Sequence, residues 1–213
     1  MQRLLAIVLL GFVVRGEIVD RAAITVGRQV VTELELEEEV RVTAFFNRVP
    51  LVDTPQQRRA AADRLVRQLL VAREMRLSHY PDPSGSDVQN AFTRIRDGYT
   101  SPLEFNGALT RYKLNENILK AHLARQISTL RFIEYRFRPE LGISETDLQN
   151  YYNRKIKTWT TDHPGVPVPD FNRSRDSLRT ALIAARTDDA LDGWLKETGK
   201  QVPIAYLEQD LRQ

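Results

Sequence analysis

Between Asn115 and Phe137 the apolar side chains return every three or four residues, at Leu119, Leu123, Ile127, Leu130, Ile133 and Phe137. That spacing lays one stripe along a helix; a strand would alternate its faces every second residue. Arg138-Pro139 closes the run, because proline lacks the amide the next turn needs. A stripe of this length must be covered, so the chain has to fold as several helices packed on one another.

The rest of the sequence supplies them. Thr32-Glu33-Leu34-Glu35 has the capping-box pattern, and Glu33, Glu35, Glu37, Glu38 and Glu39 read as a solvated face of the helix it starts. Thr54-Pro55 opens a second helix, with Ala61, Leu65, Leu69 and Ala72 as its stripe. Tyr80 to Gly85 is a Pro-rich break, Ser86 to Gln89 starts a short helix through Ile95, and Ser101-Pro102 starts another. Ser144 to Asp147 caps a helix reaching about Ile156, and Asp162 to Pro169 has the composition of a linker. A last helix runs from Arg173 to Thr198 and is ended by Gly199.

Only the two ends read as strand. Ile18 to Thr32 is a hairpin with Gly27-Arg28 at its turn, and Val202 to Leu207 is a closing strand. A lone hairpin is marginal in water, so the closing strand is its expected third partner. The expected fold is therefore mainly α with a small β-sheet, made of the N-terminal hairpin and the C-terminal strand.

Residues 1–16 read as a cleavable export signal: Arg3, an apolar run from Leu4 to Val14, then Val14-Arg15-Gly16 before the charged segment from Glu17. The run is shorter than the about 20 residues that cross a ~30 Å hydrocarbon layer. Removing it leaves 197 residues and takes Lys plus Arg from 31 to 29, against 28 Asp plus Glu. The mature chain is nearly neutral, which argues against nucleic acid as a partner. It has no cysteine, which excludes a thiol nucleophile, an acylated-cysteine anchor and a cysteine-ligated zinc. A periplasmic protein, not stably inserted in the membrane, is the expectation.

Catalytic patterns are missing. His79, His122 and His163 lie in separate elements at no ligand spacing, and each reads as a surface residue. There is no Gly-x-Ser-x-Gly elbow. Gly193 to Gln201 has five residues between its glycines where a phosphate loop has four, and Gln201 where magnesium needs a hydroxyl. No catalytic residue, metal or cofactor is expected, and any activity is expected to be independent of ATP.

Three segments resemble the SurA-type periplasmic chaperones, relatives of the parvulin-class foldases. Ile18 to Val26 with Val30 to Glu35 is similar to the opening hairpin and first helix of that family. Ile143-Ser144-Glu145-Thr146-Asp147-Leu148-Gln149-Asn150-Tyr151-Tyr152 is similar to its exit segment, and Arg175 to Leu207 to its returning helix and strand. The resemblance implies a hairpin and helical domain over 17–157, a Pro-rich linker over 158–172 in place of the parvulin domain, and a returning helix and strand over 173–213. It implies an ATP-independent holdase for unfolded or extended outer-membrane and secreted polypeptides, without prolyl isomerase activity. The alternatives are a foldase with residual isomerisation, or a structural protein docking one folded envelope partner. Phe45 and Phe46 are neighbours that cannot both face one core stripe. With Leu51, Val52, Phe105 and Tyr112 they form the candidate peptide-binding group, taken collectively, with packing in the core as the alternative for each member.

Overall fold

The computed structural model describes residues 20–138 and 142–212, so the expected export signal at 1–16 lies outside the described residues. The order is β1 (Ala22–Val26), β2 (Gln29–Thr32), α1 (Glu33–Asn47), α2 (Pro55–Leu77), α3 (Gly85–Arg96) and α4 (Pro102–Arg111). Then come α5 (Glu116–Phe137), α6 (Glu145–Asp162), α7 (Phe171–Gln201) and β3 (Ile204–Tyr206), with a short 3-10 turn at Gln209–Leu211. The chain is mainly helical with one three-stranded antiparallel sheet in the order β2-β1-β3. The closing strand does join the hairpin, and the two ends of the described chain meet at β1.

Local chemistry explains the boundaries. Each of these seven helices has a side-chain cap: Thr32, Thr54, Ser84, Ser101, Asn115, Ser144 and Asp170 each accept from an amide in the first turn. Four of the caps are complete capping boxes, and Pro55 and Pro102 stand where a missing amide costs nothing. At the hairpin, Val26 faces Gln29 across a two-residue loop, and Gly27 has φ +61°. A side chain there would be strained, and its Cβ would stand 3.3 Å from Val202 Cγ1.

Four boundaries differ from the sequence reading. The third helix is capped by Ser84, two residues before the expected Ser86, because Asp87 completes the box with Ser84. α6 runs on to Asp162, its Thr160 and Thr161 hydroxyls bonded back to Ile156 and Lys157 carbonyls. α7 starts at Phe171 under the Asp170 cap, which leaves only 163–170 as the connection. Gly199 does not end α7; the helix passes through it to Gln201, and β3's Ile204 Cδ1 lies 4.0 Å from where its Cβ would be.

The core is divided. One cluster joins the sheet to α1 and α2 through Ile24, Val31, Leu36, Ala61, Val66 and Leu211. A second packs the end of α1 against α3, α4 and the start of α5. A third, around Leu148 and Leu182, holds α6 on α7. A fourth, around Val71, Met75 and Phe132, joins α2, α5 and α7. The α5 stripe thus changes partners halfway along. Leu119 and Leu123 are buried as expected, but Leu130 is 56 % exposed and Phe132 takes the inward place. The first half of α5 faces α3 and α4 and the second half α2 and α7, so no single stripe serves both.

Candidate functional site

Phe45 and Phe46 part company as adjacent helical residues must. Phe45 is buried in the second cluster with Phe105 and Tyr112, its ring centroid 5.7 Å from that of Tyr112 and 6.5 Å from that of Phe105. The Tyr112 hydroxyl donates to the Val49 carbonyl at 2.9 Å. These three rings are core residues, the alternative the sequence left open for each, because α3 and α4 fold over that end of α1. Leu51 is half-buried between the first two clusters, and Val52 is exposed on the loop after α1. Of the six candidates, Phe46 lines a large cavity.

That cavity is an open groove of about 1150 Å³. Its walls are β2 (Gln29 to Val31), α1 (Glu35 to Asn47), α2 (Arg64 to Arg76 and on to His79) and the α5 stretch from His122 to Leu130. Val30, Phe46 and Leu130 line it as exposed apolar residues, with Leu65, Leu69 and Ala72 half-buried behind them. Burying each large apolar side chain is worth ~1.5–3 kcal/mol, so these exposed residues are a ready source of binding energy.

Four polar residues of the groove, Glu39, Thr43, Arg64 and His122, lie together. Arg64 Nε donates to Glu39 Oε1 at 3.0 Å, and Arg64 Nη2 donates to Thr43 Oγ1 at 2.8 Å. His122 Nδ1 lies 4.0 Å from Glu39 Oε2, and its ring centroid is 5.4 Å from that of Phe46. Burial pushes the His122 pKa below its usual value; the Glu39 carboxylate opposes that shift and the Arg125 and Arg64 cations reinforce it. Glu39 is 5 % exposed, not part of a solvated acidic face, and His122 is mostly buried, not a surface histidine. α5 brings His122 against Phe46 of α1, where the Glu39 carboxylate gains a guanidinium, a hydroxyl and an imidazole as neighbours. The one sequence signal for His122 was its place three residues after Leu119, at the margin of the stripe.

A second, smaller cavity of about 310 Å³ lies between α6 and α7, lined by Tyr152, Ile156, Trp159, His163 and Leu178 among others. The Tyr152 hydroxyl donates to the Pro169 carbonyl at 2.7 Å, which pins the 163–170 connection across its mouth. Val166 and Val168 stand exposed on that connection.

Among the described residues no group of three His, Cys, Asp or Glu side chains is placed to hold a metal ion. Among them, too, no helix is long and apolar enough to cross a membrane. What the groove offers chemically is apolar surface beside the paired Arg64, Glu39 and Thr43 side chains, which suits reversible binding. No family model matches this chain, and no curated protein matches it either.

Proposed function

We propose that this protein is an ATP-independent chaperone of exported polypeptides, working in the periplasm as a holdase and lacking prolyl isomerase activity. The observation that carries the reading is the open groove between β2, α1, α2 and α5, with Val30, Phe46 and Leu130 exposed along it. The SurA-like order of hairpin, helices, returning helix and strand supports it, as does the short 163–170 connection where that family carries its isomerase.

The energetics fit a carrier. Two or three apolar contacts of ~1.5–3 kcal/mol each are offset by several kcal/mol of association and ordering cost. The balance for one patch is weak, roughly high-micromolar or weaker, and an extended client gains by touching several patches at once, so release needs no nucleotide hydrolysis. The test is light scattering from an unfolded outer-membrane protein diluted into buffer with the chaperone. Near-stoichiometric protein should suppress aggregation, and the Phe46→Ser/Leu130→Ser double variant should do so several-fold less well. Undiminished aggregation at several-fold excess of the unaltered protein would reject the reading.

A further inference from the structure

The two edges of the sheet are treated differently. On the β3 side, Gly27 N–H donates to the Pro203 carbonyl at 2.7 Å and Leu207 N–H to the Ala23 carbonyl at 2.8 Å. Residues 23 and 27 of the central chain therefore turn their backbone groups toward β3, and Thr25, midway between them, does the same. Thr25 faces Val30 on the other side. The Thr25–Val30 pair is thus a non-hydrogen-bonded one, and the Val30 N–H and C=O point outward, away from β1.

On β3 the corresponding outward carbonyl, that of Tyr206, is taken by Arg212 Nε at 3.0 Å. Val30 has no such cover among the described residues. It is 52 % exposed, and Gln29, Val30 and Val31 form one wall of the groove. Beside them Arg76 Nη2 donates to Gln29 Oε1 at 2.9 Å, and among the described residues no carboxylate lies within 4 Å of that guanidinium to pair with it. An uncovered backbone donor and acceptor call for another backbone. The unneutralised cation next to them calls for a carboxylate.

We infer that the outer edge of β2 takes an extended apolar polypeptide segment as a fourth strand, with an acidic side chain of that segment against Arg76. This deepens the chaperone reading and rests on it: it specifies the conformation and charge pattern of the polypeptide the groove holds. One client residue opposite Val30 exchanges two hydrogen bonds with it, and its neighbours alternate between the groove's apolar wall and solvent.

Val30→Pro tests this directly. Proline is tolerated on an edge strand where the amide faces outward, so the fold is retained, while the donor is lost and the ring blocks the edge. The probe is a fluorescein-labelled peptide of alternating Val and Thr with one Asp, followed by anisotropy. Val30→Pro should bind it about tenfold more weakly with an unchanged thermal midpoint. The unaltered protein should prefer the Asp peptide several-fold over an Asn version, and Arg76→Gln should remove that preference. Hydrogen exchange reads the same contact without a variant: the Val30 amide should become protected when peptide is added. Binding by Val30→Pro within twofold of the unaltered protein, or no gain in Val30 protection, overturns the inference and leaves the chaperone reading standing. A dimer that Val30→Pro dissolves also overturns it, since the edge would then be filled by a second copy. Failure of the unaltered protein both to bind peptide and to suppress aggregation is the separate outcome that removes the function itself.

Discussion

The chemistry of His122 depends on its surroundings. Packed against Phe46 and near Glu39, it has its pKa pushed below the ordinary 6.5, so the folded state favours the neutral ring. The unfolded chain then binds a proton more readily, and stability is fully present above about pH 6.5 and lost as pH falls from there through the lowered value. Thermal midpoints measured from pH 7.5 downward should fall less steeply in His122→Gln than in the unaltered protein. An identical slope would remove His122 as the cause. Phe132 and Leu130 make a second contrast, two residues apart on α5. Phe132 is fully buried and Phe132→Ala should cost about 3–5 kcal/mol, whereas exposed Leu130→Ala should change stability by only ~0.5 kcal/mol or less. Urea unfolding of the two variants measures both. Periodicity alone ranks Leu130 as core and passes over Phe132, because it assumes one stripe meeting one partner.

At the scale of elements, the helices owe their boundaries to short-range hydrogen bonds. Thr54 accepts from Gln57 N–H while Gln57 reaches back to Thr54 N–H, so Thr54→Ala should cost about 1 kcal/mol and loosen the first turn of α2. Circular dichroism melts and amide exchange of residues 55–58 would show it. The same local rule explains why α1, α2 and α5 are legible from sequence and α3 nearly so, Ser84 having been passed over for Ser86. The same rule misplaces the end of α7: Gly199 looks like a helix end, but a cap glycine needs a left-handed φ, and no positive φ occurs there. Its small size instead leaves room for Ile204 of β3, a contact no window of sequence contains.

The whole molecule is closed by its C-terminal segment. Arg58 of α2, its side chain 10 % exposed, is bonded to Glu208 at 2.5 Å and lies within 4 Å of Glu33, Asp53 and Asp210 carboxylates. Burial works against its charge, but Glu208, Asp53 and Asp210 together hold its pKa above the usual value. Leu211 is fully buried in the cluster beneath the sheet. Arg58→Ala, which leaves Glu208 without its partner, should therefore cost ~3 kcal/mol. Native-state exchange should show β3 and the 208–212 segment opening before α3 to α5, which share the separate second cluster. Simultaneous opening of all of them would contradict the divided core.

Features set by residues close together in the chain are legible in it: the caps, the proline starts, the hairpin turn at Gly27, and the need for a third strand to shelter a marginal pair. Which faces are wet depends on packing between distant segments. Phe45, Phe105 and Tyr112 went inside because α3 and α4 fold over α1, and Glu39 and His122 were drawn in from faces that read as solvated. The groove exists because α5 crosses from one cluster to the other and leaves Val30, Phe46 and Leu130 uncovered. Burial is a property of two surfaces meeting, and residues far apart in the chain carry no local mark of the partner they will meet or lack.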